Sequence, residues 1–250
     1  RTQTADVRGI VAWADEHLFE RRSVVNDYEL MAAALARGRG EGFDLAELSR
    51  AIEERGYIRE ENTPKLTSRE LLRCELEIVV AAHDGRNCFY DLGGDYERDP
   101  SLSAEQARAA QRILTSHDFI TLFRGGAGTG KSRTLKEIER GIVATGRPVV
   151  VLAPQRQQAQ DLHDDGLPAQ TLAHALTTRQ LPSQAVVILD EAGQVGGKDL
   201  RELIRLVQAQ RGRLILSGDT RQHGAVAASD ALRAIEEHSN SRVAVLRTIR

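Results

Sequence analysis

The sequence predicts an α/β protein: a parallel sheet covered by helices on both faces, preceded by a small, mostly helical module. Three observations predict it. Beyond Pro100, short runs of Val, Ile and Leu alternate with helical segments, which is the rhythm of βαβ units. One such run leads into Gly125-Gly126-Ala127-Gly128-Thr129-Gly130-Lys131-Ser132, a fit to G-x-x-x-x-G-K-[ST] between a predicted strand and a predicted helix. Another, Val186-Val187-Ile188-Leu189, ends in the paired acids Asp190-Glu191.

Composition narrows the class before any motif is read. The 250 residues are 41% apolar and 28% charged, enough for a real core, which excludes a disordered tail, a collagen-like fibre and a disulfide miniprotein. The β-branched stretch Val149 to Ala153 is far short of the roughly 20 residues that span a bilayer, and no signal peptide is expected at the start. Cys74 and Cys88 make no metal pattern and suit a reducing cytosol, so the expected location is cytoplasmic. Charge is uneven. Residues 1–100 carry 14 basic and 21 acidic groups (net −7), whereas 101–250 carry 20 and 15 (net +5). That bias permits contact with a polyanion without demonstrating it.

A boundary is expected near Asp95–Ser103, where Asp99-Pro100 follows Gly93-Gly94, giving a module over 1–95 and a nucleotide-binding domain over 96–250. In the module, Asn26-Asp27 caps a helix carrying Leu30, Met31, Ala34 and Leu35. Asp44 caps a second, carrying Leu45, Leu48 and Ile52 and stopping at Gly56. Tyr57-Ile58-Arg59 is a short strand and Glu60–Lys65 a loop. Thr67-x-x-Glu70 forms a capping box for a helix through Leu71, Leu72, Leu76, Ile78 and Val79 that ends before Gly85. This order fits either a small winged-helix-like module or a helical lead-in packed on the next domain. In the second part, strands are expected at Phe119–Phe123, Val149–Leu152, Val186–Leu189, Leu214–Leu216 and Val243–Leu246. Helices are expected near 131–145, 155–165, 198–211 and 228–238.

The chemistry of the two central motifs follows from their residue types. Glycines let successive backbone N–H groups curl around phosphate oxygens, and the helix N-terminus adds partial positive charge. Lys131 reaches the β- and γ-phosphates of a nucleotide, and the Ser132 hydroxyl ligates Mg²⁺. Asp190 holds the same Mg²⁺, and Glu191 polarises the attacking water as general base. Hydrolysis of ATP or GTP is the expected base activity. Gln222, in Gly218-Asp219-Thr220-Arg221-Gln222 after the next strand, can sense the γ-phosphate.

Taken in order, the motifs resemble superfamily 1 helicases, in particular the RecD-like branch. Leu102-Ser103-x-x-Gln106 resembles the adenine-reading glutamine motif. Gly125–Ser132 resembles motif I, and Val151-Leu152-Ala153-Pro154 motif Ia. Gln170-Thr171-Leu172-Ala173-His174 resembles the block that touches single-stranded DNA. Asp190-Glu191-Ala192-Gly193 and Gly218–Gln222 resemble motifs II and III. Within that branch the chain is most similar to the helicase part of MobF-type conjugative relaxases, on Leu216–His223, Leu246–Arg250 and, more loosely, residues 20–85.

The resemblance implies a RecA-like fold and ATP with Mg²⁺ as cofactors. It implies Gln106 on the adenine ring and Gln222 on the γ-phosphate. It also implies a single-strand path lined by Pro154, Gln155, Arg156, Thr171, Leu172 and His174, and 5′-to-3′ movement. Implied partners are single-stranded DNA, the other domains of a larger relaxase and the conjugation machinery. Pro154-Gln155-Arg156-Gln157-Gln158 departs from the small and hydroxyl residues usual in motif Ia. A second RecA-like domain and a nuclease domain are expected outside these residues, and these 250 residues alone are expected to bind Mg·ATP but turn it over slowly. A non-helicase P-loop ATPase, or a module that grips single-stranded DNA without hydrolysing ATP, remains open at this stage. Phe119, Phe123 and Trp13 are expected to pack rather than to touch bases, and His163, His174 and His223 show no metal spacing.

Overall fold

The structure, a computed structural model, describes residues 6–19, 22–126, 128–218, 231–239, 241 and 243–248. Its first part runs α1 (Val7–Phe19), β1 (Val25–Asn26), α2 (Asp27–Arg37), α3 (Leu45–Glu54), β2 (Ile58–Arg59), β3 (Lys65–Thr67) and α4 (Arg69–Asp84). Then come α5 (Ala104–Leu114), β4 (Ile120–Gly125), α6 (Lys131–Val143), β5 (Val149–Ala153), α7 (Arg156–Asp164), β6 (Ala169–Thr171) and α8 (Leu172–Thr178). The described chain closes with β7 (Val186–Leu189), a 3₁₀ turn (Ala192–Gln194), α9 (Gly197–Ala209), β8 (Arg213–Gly218), α10 (Ala231–His238) and β9 (Val243–Leu246).

The first module combines three helices with a small antiparallel sheet. Its three short strands pair antiparallel in the order β1-β3-β2, and α1, α2 and α3 bury Ile10, Val11, Ala14, Leu30, Ala34, Leu48 and Ile52 against Val25 and Leu66. Asn26 and Asp44 open α2 and α3 as capping boxes with Glu29 and Glu47, each satisfying backbone N–H groups that the first helical turn leaves unpaired. Three expectations need correction. Thr67 does not cap α4: it pairs with Ile58 in the hairpin and its hydroxyl donates to the Ser23 carbonyl, so the cap passes to Ser68, whose Oγ accepts from the Leu71 N–H. Lys65 belongs to β3 rather than to the loop. Helix α4 does not stay with the module. Leu71 lies in the module core, whereas Cys74, Ile78 and Ala82 lie in the core of the large sheet.

That sheet has six parallel strands in the order β6-β5-β7-β8-β4-β9. Side chains alternate between its faces, as the two-residue period of a strand requires. Leu122, Val187, Leu189, Leu214 and Leu216 pack with α4, α9 and α10. Phe123, Val151, Val186, Ile188 and Ile215 pack with α5, α6 and α7. Both faces are therefore covered, which explains why these strands read as unbroken apolar runs. Phe119 and Phe123 are buried in this packing, as expected. Trp13 is on α1 but not buried; it stacks on His17 with the Arg37 guanidinium 5.6 Å from its ring. Strand β6 and helix α8 have no counterpart among the expected elements.

Arg213 fastens the sheet to the segment before it. This side chain is almost fully enclosed and donates to the carbonyls of Asp118, Tyr90 and Ser116 at 2.8–2.9 Å, with its guanidinium over the Phe89 ring. Burial pulls its pKa down to about 10, so it stays charged at neutral pH. Arg213→Met keeps the volume and leaves three carbonyls without a donor. The expected loss is about 3 kcal/mol or more of unfolding free energy, read as a drop in the urea midpoint at unchanged slope.

Candidate nucleotide-binding site

The candidate site forms at the carboxyl ends of the strands, where open parallel sheets bind ligands. Strand β8 lies between β4, which carries the glycine loop, and β7, which carries the acid pair, so both motifs converge on one edge. Gly128 and Gly130 take positive φ values of 74° and 79°, the left-handed region that glycine enters without steric cost. Thr129 turns inward and its hydroxyl donates to the Gly126 carbonyl at 2.8 Å, tightening the loop. Helix α6 then begins at Lys131, with Ser132 in its first turn. Ala127 lies outside the described residues.

Lys131 and the acid pair meet directly. The Lys131 ammonium is 3.0 Å from Asp190 Oδ1 and makes a closer ion pair with Glu191 Oε1. Burial pulls the ammonium down, but the two carboxylates outweigh it and hold the pKa above the ordinary lysine value. Asp190 is buried at the end of β7. Glu191, the next residue, sits at φ 49°, a left-handed conformation that costs a side-chain-bearing residue free energy.

Two supports of this site carry no role in the sequence reading. Ser217, at the end of β8, donates its hydroxyl to Asp190 Oδ1 at 2.8 Å. Its neighbour Gly218 passes so close to the 3₁₀ turn that an added Cβ would lie 3.3 Å from the Ala192 nitrogen. Ser217 directly precedes the motif III block Gly218–Gln222, and its place on the strand between the two motifs is the signal that could have found it. Arg124, just before the glycine loop, pairs with Glu236 on α10.

Gln106 is packed beside the phosphate loop. It is 1% exposed, and its amide is engaged at both ends: Oε1 accepts from the Ser103 N–H at 3.1 Å and Nε2 donates to the Gly130 carbonyl at 3.2 Å. In this geometry it braces the phosphate loop against α5. Gln222, with the rest of Asp219–His223, lies outside the described residues, as does Arg250.

The residues expected along a DNA path lie on the same edge of the sheet. Pro154 follows Ala153, which pairs with Thr171 across β5 and β6. Gln155 and Arg156 are exposed at the start of α7, and His174 is exposed on α8. Thr171 caps α8 by accepting from the His174 N–H at 3.3 Å. Leu172 is a correction: its side chain is buried in the sheet core, so it positions α8 and offers no surface contact. Among the described residues no cluster of His, Cys, Asp or Glu is suited to hold a metal by itself, and no helix is long and apolar enough to cross a membrane.

A parallel sheet with a glycine loop, a lysine and a carboxylate pair at its strand ends defines a P-loop nucleotide-binding domain. Comparison with known families agrees. The family described as AAA domain matches residues 101–250, and the chain belongs to it, in the group of RecD-like helicases. It is similar to the multifunctional conjugation protein TraI of Escherichia coli K12, with 30% identity over 205 residues covering 75% of this chain and 12% of TraI. A probable conjugal transfer protein TraA of Sinorhizobium fredii is 27% identical over 187 residues, covering 69% of this chain and 17% of that protein. The chain thus spans a small part of the curated relatives it matches.

Proposed function

We propose that this chain is the ATP-driven motor domain of a conjugative-relaxase helicase, which moves 5′ to 3′ along single-stranded DNA during plasmid transfer. The observation that carries the reading is the convergence on one sheet edge of Lys131, Asp190 and Glu191 with the Pro154–Arg156 and Thr171–His174 segments. An ATPase of general helicase type is supported by the family match. Polarity and translocation rest on the resemblance, and conjugation on the names of the relatives.

In this reading the backbone of Gly126–Gly130 cradles the phosphates and Lys131 turns from the acid pair to the β- and γ-phosphates. The hard oxygen donors Asp190 and Ser132 suit Mg²⁺, and the Lys131 ammonium against Asp190 indicates that this position attracts a cation. Mg²⁺ held by Asp190 and Ser132 would supply the positive charge that offsets charge building up on the transferring phosphate. Glu191, once Lys131 has left it, takes a proton from water. Ser217 keeps Asp190 aimed. Arg156 and His174 contact the DNA backbone, where phosphate contacts dominate affinity. A cytoplasmic location, assembly with other domains of a larger polypeptide and contact with the transfer machinery belong to the same proposal.

The test is unwinding by the full-length protein of partial duplexes bearing either a 5′ or a 3′ single-stranded tail, with Mg·ATP. Unwinding confined to the 5′-tailed duplex is the expected result. Unwinding confined to the 3′-tailed duplex would overturn the polarity. ATP hydrolysis without unwinding of either would remove the motor.

A further inference from the structure

The departure of motif Ia from the usual small and hydroxyl residues has a partner elsewhere in the fold. Gln155 Nε2 and Gln158 Nε2 both donate to one atom, Gln194 Oε1, at 3.1 and 3.0 Å. The orientation of the Gln158 amide is fixed at its other end, since its Oε1 accepts from the Gln155 N–H at 3.2 Å as the capping box of α7. Gln194 closes the 3₁₀ turn directly after the acid pair, and its own N–H donates to the Glu191 carbonyl at 2.8 Å.

This three-residue turn is held on two sides. Behind it, buried Ala192 and Gly193 back onto Gly218. In front, nothing but the Gln194 amide joins it to α7 through side-chain hydrogen bonds among the described residues. The packing of the turn on Gly218 supplies the restraint that Glu191 needs at rest, and the Gln194 bridge adds a link through which the turn can be moved. A left-handed conformation at a residue with a side chain persists only where the surroundings impose it. Any displacement of the Pro154–Arg156 segment carries the Gln155 cap with it, pulls on Gln194, and so acts on the backbone that aims the Glu191 carboxylate.

We propose that Gln194 is a positioning residue coupling the DNA path to the water-activating carboxylate: strand contact at Gln155–Arg156 is passed through the shared Gln194 oxygen to Glu191. The inference rests on the DNA-path reading above and names the residue through which DNA regulates hydrolysis. One oxygen serves both donors, so Gln194→Ala removes the whole bridge. Gln194→Glu keeps an acceptor for both N–H groups.

The experiment measures ATP turnover by the full-length protein as single-stranded oligonucleotide is titrated in, for wild type, Gln194→Ala and Gln194→Glu. For Gln194→Ala, turnover without DNA and the half-saturating DNA concentration are expected to stay within about twofold of wild type. The stimulation at saturating DNA is expected to fall by about fivefold or more, the lower end of ordinary allosteric coupling. Gln194→Glu is expected to restore stimulation. Full stimulation in Gln194→Ala overturns the proposal. So does a proportional loss of basal and stimulated turnover, or a Gln194→Glu variant that behaves like alanine, since either marks a merely structural contact. The wild-type arm separates the two levels: wild-type turnover indifferent to DNA removes the helicase reading itself and the coupling with it.

Discussion

Glu191→Gln is expected to bind Mg·ATP within about twofold of wild type and to hydrolyse it about 10²–10⁴-fold more slowly, the range set by loss of a positioned general base. The amide is close to the carboxylate in size and still accepts a hydrogen bond, so the Lys131 contact survives in neutral form. What is lost is the capacity to take a proton from water. The strained backbone at φ 49° belongs to the turn and not to the carboxylate, so the substitution leaves the placement of residue 191 intact. A fluorescent ATP analogue read beside single-turnover hydrolysis separates the two effects. Equal loss of binding and turnover would assign Glu191 to holding nucleotide instead of activating water.

Lys131→Ala is expected to fail earlier, at binding. Among the described residues its ammonium is the one cation paired with both Asp190 and Glu191, and in the proposed function it turns to the phosphates. A charged hydrogen bond is worth about 1.5–3 kcal/mol, hence a fall of about 10–150-fold in ATP affinity. Losing a donor aimed at developing charge lowers turnover by a further 10²–10³-fold or so. The variant also leaves two carboxylates facing each other without their cation, so its thermal unfolding is measured first, in excess Mg²⁺. An intact unfolding transition with lost ATP binding is the expected pattern. Unchanged ATP affinity would contradict the role given to this lysine.

The parts of the fold that were legible in the sequence are those set by local pattern. The apolar runs of β5, β7 and β9, the glycine loop and the caps Asn26 and Asp44 each carry their signal within a few residues. The rest depends on partners distant in sequence. Strand β6 is only Ala-Gln-Thr, too short and polar to announce itself, and exists by pairing with β5. Thr67 and Ser68 are equally good caps in isolation, and the hairpin register chooses between them by drawing Thr67 into β3. Helix α4 carries an apolar pattern that suits either core, and packing sends its later turns to the sheet.

The site divides in the same way. Lys131, Ser132, Asp190 and Glu191 were identifiable because each motif is contiguous and its chemistry local. Ser217 and Gln194 were not, because their partners come from other elements: Gln194 bonds residues 36 and 39 positions earlier. Gln106 shows the opposite case. Ser103-x-x-Gln106 is itself a capping box, and that local geometry, together with the Gly130 carbonyl, holds in place the amide that the family resemblance assigns to adenine.

The most direct measurement of the central claim is ATP turnover by the full-length protein with and without single-stranded DNA, beside Lys131→Ala. A DNA-stimulated rate that the substitution abolishes is the predicted result. A rate that ignores DNA, or one that survives loss of Lys131, would contradict a nucleic-acid motor driven from this site.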